Sequence, residues 1–417
     1  MEYSESEVLQ YIAENDVKFI KLFFTDIFGT IKSISIQPKE LERAFKTGIS
    51  FDASAVKGFL EVDKSDLFIV PDASTLSVLP WRPQHGRVVR FFCNIRYLDG
   101  RPFEGDTRYI LQNVVVKARK MGYDVKVGTE CEFYLFQTDE KGEPTTIPHD
   151  NAGYCDLAPR DKGENVRRDI CLTLDQMGIQ PESSHHETGP GQHEVDFKYS
   201  TPLQAADNLG TFKTVVKTVA ARNGLYASFL PKPIAGKAGS GLHINISLEK
   251  NGKNIFGAEE LPDEARQFMA GVLYRIREIT AFLNPLKTSY DRFGSYEAPQ
   301  YVSWSSLNRS QLIRVPAAEK DRRRMELRSP DPSCNQYAAL SLIISAGLEG
   351  IEQKRVLPPA IDVNMFKAKP AEIQGVDMLP KTFIEALKLA EDSRFVKTVL
   401  PEVTVNAFVN AAGEADE

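Results

Sequence analysis
The sequence predicts an α+β protein of two domains, a small mixed-sheet domain followed by a larger one in which strands and helices mix. Three observations carry that expectation. At 417 residues the chain exceeds the usual size of one compact core. Up to "RVVRFFCNIRY" the sequence is a succession of short strand-like runs, whereas strand and helix patterns mix beyond it. Between the two lies "LDGRPFEGDTR", rich in turn formers, after which a helical pattern starts at "YILQNVVVKARKMG". The expected domains are therefore 1–103 and 104–417, with the polar tail 410–417 expected to be disordered.

The elements follow in order. "SESEVLQYIAEN" reads as a short helix: Ser4 and Glu7 form a capping-box pattern, and Val8, Leu9 and Ile12 line one face. "VKFIKLFFTDIFGTIKSISI" reads as two strands joined by a turn containing Gly29, and the alternation of Ile34 and Ile36 with Ser33 and Ser35 predicts one covered face. Farther on, "NLGTFKTVVKTVAARNG" is an amphipathic helix with Leu209, Phe212, Val215, Val216 and Val219 on one side and Gly224 as its stop. No internal repeat or low-complexity segment interrupts the chain.

Composition narrows the function. Hydrophobic content of 42% and charged content of 26% suit a soluble globular protein. A net charge of −6 with no long basic run argues against nucleic-acid binding, so an anionic substrate would need a local positive cluster. Cys93, Cys131, Cys155, Cys171 and Cys334 show no CxxC spacing and are odd in number, which disfavours a disulfide framework and a zinc site. The acidic start "MEYSESEVLQ" lacks the apolar stretch of a signal peptide, and no apolar run reaches the ~18 residues of a membrane span; the cytoplasm is the expected compartment.

Four segments place polar side chains at i and i+2, hence on one face of a strand. "TECEFYLF" does so with Glu130 and Glu132, and "HEVDFKY" with Glu194, Asp196 and Lys198. "LHINISL" does so with His243, Asn245 and Ser247, and "RMELR" with Arg324, Glu326 and Arg328. Each alone reads as an ordinary solvent-facing strand. Together they are rich in Glu, His and Arg rather than the Thr, Lys and Ser of a wet sheet, and their neighbours are too apolar for an exposed edge. The alternative is that the faces converge on one cavity, where carboxylates bind hard divalent cations and arginines bind phosphate. Cations would supply the counter-charge that buried carboxylates need.

"SSHHETGPGQHEVDF" brings Glu187 and Glu194 together across a Gly-Pro-Gly turn. A Glu-dominated constellation suits Mg²⁺ or Mn²⁺ rather than zinc. Arg292, Arg309, Arg314, Arg322, Arg323, Arg324 and Arg328 form a basic cluster; Arg322 and Arg323 read as solvated surface, the others as candidates for bidentate anion recognition. "AGSGLH" is a small-residue loop before a strand but not a Walker A motif, so metals and arginines would have to hold a nucleotide.

In this order the segments "FDASAVKGF", "SDLFIVPD", "TECEFYLF", "HHETGPGQHEVDF", "FLPKPIAGKAGSGLHINISL", "NPLKTSYDRFGSYEAP", "NRSQLIRVP" and "MELRSPDPSCNQYAAL" resemble type I glutamine synthetase along nearly the whole chain. The resemblance implies an N-terminal β-grasp domain and a C-terminal catalytic α/β domain, whose curved antiparallel sheet forms an active-site funnel. It implies hexameric rings, usually stacked in pairs, with active sites between neighbouring subunits. It places Glu132, Glu187 and Glu194 on one metal ion and Glu130, His243 and Glu326 on a second. It gives Arg309, Arg314 and Arg324, with Tyr199, Asn245 and Ser247, to ATP, and Glu187, Gly239, Arg292, Glu297 and Arg328 to glutamate. Asp52 of a neighbouring subunit would take the proton of ammonium, Arg309 would act on the transferring phosphoryl group, and Glu297 lies in the flap that closes the site.

The sequence departs from the family pattern at several points. Ala238 stands where an asparagine is usual in the substrate loop, and the flap from Arg292 to Glu297 is one residue shorter than the common pattern. The Asp-Gly-Ser of the ammonium region is Asp52-Ala53-Ser54. Phe366 stands in the region of the tyrosine that some relatives adenylylate, and Glu61 aligns with a feedback-inhibition arginine of the Gram-positive subgroup. The short polar C-terminus makes the hexameric ring a firmer expectation than the double ring. The leading reading is glutamate–ammonia ligase. A γ-glutamyl ligase for a polyamine or other amine is kept open by Ala238 and disfavoured by Asp52. A catalytically inactive structural or regulatory relative is disfavoured by the retention of every candidate metal ligand.

Overall fold
Short β-patterned runs pair first with what lies nearby, and the N-terminal sheet is built that way. The computed structural model describes residues 3–306 and 308–414. Helix α1 (Glu5–Glu14) starts with the expected capping box: Ser4 Oγ accepts from the Glu7 N–H, and the Ser4 N–H donates to Glu7 Oε2 at 2.8 Å. Strands β1 (Val17–Thr25) and β2 (Ile31–Ile36) are antiparallel around the turn at Gly29, which holds φ 80°. They continue into β3 (Ile49–Asp52), β4 (Asp66–Pro71), β5 (Ser77–Val78) and β6 (Arg87–Arg96). The order is β2-β1-β6-β4-β3, with β5 on β6 and a parallel β1–β6 pair, which makes the sheet mixed. Its core holds Ile20, Leu22, Ile69 and Phe91, and helix α2 (Leu41–Thr47) packs against β4.

Contacts divide the chain into two units. The first runs to Gln112 and takes in Gln176–Gly178 and the chain from Leu400; the second holds 113–175 and 179–399. The C-terminal helix α10 (Glu402–Glu414) therefore belongs with the first unit; of the tail 410–417 expected to be disordered, residues 410–414 are helical. Val405, Phe408 and Ala412 recur at helical spacing and are buried, and Phe408 packs on Phe28 with ring centroids 5.3 Å apart. Residues 415–417 lie outside the described residues.

The second unit is organised by β7 (Asp124–Thr138), the longest strand described. Around it lie β8 (Pro144–Pro148), β9 (Pro181–His186), β10 (Gln192–Phe197), β11 (Leu225–Ser228), β12 (Leu242–Lys250), β13 (Lys253–Asn254), β14 (Trp304–Ser305), β15 (Ile313–Arg314) and β16 (Met325–Leu327). The order is β14-β15-β16-β12-β7-β10-β9, antiparallel throughout that path except for β14–β15. Among the helices, α3 (Thr107–Lys120), α4 (Glu164–Gln176), α5 (Pro202–Arg222), α6 (Asp263–Leu283), α7 (Gln336–Glu352), α8 (Phe383–Asp392) and α9 (Arg394–Val399), α5 packs directly on β7, and α7 packs on α5 and α6. No helix among the described residues is long and apolar enough to cross a membrane.

Alternation sorts β7 into two faces. Val125, Val127, Cys131 and Phe133 are buried toward α5, while Lys126, Gly128, Glu130 and Glu132 take the opposite side and stay partly open. Phe212 of α5 is fully buried against Phe133, Phe197 and Phe229, with ring centroids 5.6–6.1 Å apart. This aromatic cluster fixes the sheet from behind and so fixes the direction of its carboxylates. Phe212→Ala is expected to lower the stability of the protein by about 3–5 kcal/mol, read from denaturant unfolding.

Candidate active site
Antiparallel register carries the i, i+2 rule from one strand to the next. Glu132 on β7 faces Glu194 on β10, which faces His185 on β9. One step along, His243 on β12 faces Glu130 on β7, which faces Asp196 on β10. Next, Arg314 on β15 faces Glu326 on β16, which faces Asn245 on β12. Directly opposite residues share a face, so these rows form one polar wall. The wall borders a cavity of about 780 Å³. Glu130, Glu132, Glu187, Glu194, His243 and Glu326 line it, as do Gly239, Arg292, Glu297, Arg309, Arg314, Arg324 and Arg328.

Two sets of ligand atoms lie within 4.8 Å of one another in this cavity: Glu130, His243 and Glu326, and His185, Glu187 and Glu194. Glu132 stands beside the second set. Its Oε2 accepts from Gln192 Nε2 at 2.7 Å and from the Gly241 N–H at 3.0 Å.

The two sets differ in charge balance. Glu130 accepts from His243 Nδ1 at 3.1 Å and from Asn245 Nδ2 at 2.8 Å, and Arg324 lies at 3.7 Å. Burial works to raise its pKa, but these partners outweigh it and draw it down to about 2. Glu326 is ion-paired with Arg328 and, at 2.9 Å, with Arg314. The sequence shows no cation next to Glu130; the fold supplies arginines from other strands.

Glu187 and Glu194 lack such partners. Burial, then the charge of Glu132, raises Glu187 to about 7. Burial, then Asp196 and the surrounding glutamates, raises Glu194 well above the usual carboxylate range. Crowded carboxylates with a histidine beside them fit a hard divalent cation, which would supply the missing positive charge.

Two arginines of the lining are themselves buried. Arg292 is buried, with NH1 donating to the Ser329 carbonyl at 3.1 Å and its Nε without a partner. Arg328 is also buried, gripping Glu326 and reaching Glu297 at 3.4 Å, with its Nε likewise without a partner. Gly239 allows the Arg292 chain its place: a Cβ there would sit 2.6 Å from Arg292 Cγ and 2.4 Å from the Pro231 carbonyl oxygen. Buried guanidinium donors left unpaired suit a carboxylate or phosphate.

The remaining expected residues lie elsewhere. Asn245 is buried between Glu130 and Arg324, while Tyr199 sits over Gly128 and Ser247 faces Lys126; none of the three lines the cavity. Asp52 belongs to the first unit, is exposed, and accepts from the Ser54 hydroxyl at 2.6 Å and the Ser54 N–H at 2.9 Å, which lower its pKa. Arg322 and Arg323 stay out of the cavity.

Sequence reasoning missed Gln192, His185 and Tyr154 as cavity residues, while Asp196 lies there as its shared face with Glu194 predicts. Gln192 continues the period of Glu194 and Asp196, and His185 stands two residues before Glu187, so both carried a periodic signal. Tyr154 comes from a loop without one; its ring sits 5.3 Å from that of His185.

The adjacent histidine takes the other face. His186 is buried, pairs with His193 across the sheet, and donates from Nε2 to Asp150 at 2.9 Å. Asp150 also accepts from the Gly191 and Lys162 N–H groups, each at 3.0 Å. Arg167 of α4 pairs with Asp161 and approaches His193 Nδ1 at 2.8 Å. Asp150, His186 and His193 are close enough to ligate an ion, but Arg167 beside them opposes a cation. Burial opposes the charge on His186, and the bond to Asp150 overcomes it, raising its pKa; this is a structural ion pair behind the hairpin that carries Glu187 and Glu194.

A cavity in which carboxylate clusters able to hold a metal ion meet several arginines has the lining of an enzyme site for anionic substrates. The comparisons specify the class. The chain matches the β-Grasp domain of glutamine synthetase over residues 16–97 and the glutamine synthetase catalytic domain over residues 104–416. It is 46% identical over 422 residues to the glutamine synthetase of Clostridium saccharobutylicum, covering 100% of this chain and 95% of that one. It is 46% identical over 415 residues to that of Methanosarcina mazei, covering 98% and 93%. A solved GmaS–ADP complex superposes with TM-score 0.89 at 28% identity, covering 98% and 96% of the two chains. Plasmodium falciparum glutamine synthetase shares the fold at TM-score 0.89 and 24% identity, covering 99% and 96%. The chain belongs to the glutamine synthetase family.

Two outcomes follow from the site's electrostatics. Glu187 is raised from 4.5 to about 7, so the stability it leaves to the metal-free protein is present below the ordinary glutamate range and lost as pH rises through about 7. A metal ion competes with that proton. Mn²⁺ affinity, measured by calorimetry, is expected to rise at least about tenfold per pH unit on the approach to pH 7, with proton release on binding. Asp150→Ala strands the buried His186 charge and is expected to destabilise the protein by about 3–5 kcal/mol in thermal or urea unfolding.

Proposed function
We propose that the cavity carries out the reaction of its family: ATP-dependent ligation of ammonia to the γ-carboxylate of L-glutamate, giving glutamine, ADP and phosphate. The observation that carries the reading is the meeting of both carboxylate sets and the arginines Arg292, Arg309, Arg314, Arg324 and Arg328 in one cavity. Full-length similarity to glutamine synthetases supports it.

In this reading Glu132, Glu187 and Glu194 hold one divalent ion, with His185 at hand, and Glu130, His243 and Glu326 hold another. Mg²⁺ or Mn²⁺ bound there supplies Lewis-acid charge to the phosphate oxygens of ATP. Arg292 and Arg328 orient the carboxylates of glutamate, with Gly239 keeping the loop close and Glu187 at the γ end. A γ-carboxylate oxygen attacks the γ-phosphorus, ADP leaves, and γ-glutamyl phosphate forms. Arg309, Arg314 and Arg324 offset the charge of the transferring group. The resemblance gives Tyr199, Asn245 and Ser247 to the nucleotide, which would have to extend past the cavity lining to meet them. Asp52, contributed by a neighbouring subunit, takes a proton from ammonium; an exposed carboxylate, anionic at neutral pH, suits a cationic ligand. Ammonia attacks the acyl carbon, the bond from that carbon to the phosphate oxygen breaks, and the surplus proton on nitrogen passes to the departing phosphate. Glu297, reaching Arg328 at 3.4 Å, closes the site against water. A hexameric ring, single or double, completes each site, and the cytoplasm is the proposed compartment.

The test is phosphate release from ATP with Mg²⁺ and glutamate, comparing ammonium, methylamine, ethanolamine and putrescine. Turnover is expected with ammonium alone, and to fall about 100-fold or more in Asp52→Ala and Glu297→Ala. Preference for a larger amine, or no turnover with any acceptor, overturns the reading.

A further inference from the structure
Two segments meet at the mouth of the cavity. The loop from Pro231 to Gly241 supplies Ala238, Gly239 and Gly241 to its lining, and the segment from Arg292 to Ala298 supplies Arg292, Tyr296, Glu297 and Ala298. The second segment is strained. Tyr296 and Glu297 are consecutive non-glycine residues with left-handed backbones, φ 48° and 65°. Such a pair costs free energy and persists only where surrounding contacts impose it.

Those contacts are few. Within the segment, the Gly294 N–H donates to the Ala298 carbonyl at 2.9 Å and the Ala298 N–H to the Ser295 carbonyl at 3.0 Å. Glu297 reaches Arg328 only at 3.4 Å and is largely exposed. The strong external contact is made by Tyr296: its hydroxyl donates to the Gly236 carbonyl at 2.7 Å, and Lys232 lies 5.0 Å from its ring centroid. Both partners belong to the facing loop. Tyr296, 53% exposed, is thus spread over the surface of that loop rather than buried as core.

We propose that Tyr296 is a positioning residue, a strap whose hydroxyl ties the flap to the 231–241 loop and thereby holds Glu297 over the site. The proposal rests on the function proposed above. Its consequence is chemical. With the strap intact, the acyl phosphate waits for ammonia. With it cut, water reaches the acyl carbon, the bond from that carbon to the phosphate oxygen breaks, and glutamate and phosphate are released. ATP is then consumed without glutamine.

The experiment measures phosphate and glutamine together in the full-length protein, with ATP, Mg²⁺ and glutamate, at limiting ammonium. The wild type is expected to release slightly more phosphate than glutamine, and that small excess is the baseline. Tyr296→Phe, which removes only the hydroxyl, is expected to raise the excess phosphate about three- to tenfold, the factor a single hydrogen bond commands. Tyr296→Leu, which also removes the ring from Lys232, is expected to raise it further, with the unfolding midpoint of both variants close to wild type. Unchanged stoichiometry in both variants, or a parallel fall of phosphate and glutamine, overturns the strap. A wild type that makes no glutamine overturns the proposed function, and the strap with it.

Discussion

Like charges held close in a half-dry wall are the constraint around which the second unit is arranged. Burial raises the proton affinity of Glu187 and Glu194, and the nearby charge of Glu132 raises it further. A carboxylate can relieve such crowding by moving into water. Here it cannot, because the opposite faces of β7 and β10 are anchored by Phe133, Val195 and Phe197 in a packed core. The hydrophobic face therefore does electrostatic work: it holds charge where only a proton or a cation satisfies it.

The same wall treats its two halves differently. Glu130 and Glu326 are met by Arg324 and Arg328, which flank β16, and by Arg314 of β15. Glu187 and Glu194 are not. One half of the site is thus balanced by protein and the other is left for a ligand. Where phosphoryl charge must be accepted, arginines engaged with carboxylates are also held in place, so little reorganisation is needed when an anion arrives.

Rigidity behind the wall contrasts with tension at its mouth. Asp150 accepts from the β9–β10 turn, from His186 and from the Lys162 backbone, so the hairpin bearing Glu187 and Glu194 is fixed from the helix side. At the mouth, consecutive left-handed residues at Tyr296 and Glu297 depend on a few exposed contacts. The stable part holds the charges in register, and the strained part is the one whose release costs little.

The sequence by itself determined the face of each strand. Period-two spacing put Glu130 with Glu132, Glu194 with Asp196 and His243 with Asn245 on common faces, and the structure keeps all three pairings, because alternation is a local property of an extended backbone. Helical spacing likewise found α5 and its Phe212. What the local pattern could not give was which strands adjoin. That His185 faces Glu194 while His186 turns to Asp150 follows from the β9–β10 register. That Glu130 has an arginine near it follows from β16 lying beside β12. The stretch 410–414 misled for the same reason: its polar setting suggested disorder, whereas it continues a helix on which Ala411 and Ala412 are buried. Pairing between distant segments depends on packing summed over the whole unit, so only the tertiary structure decided which carboxylates are neutralised by protein and which await a cation.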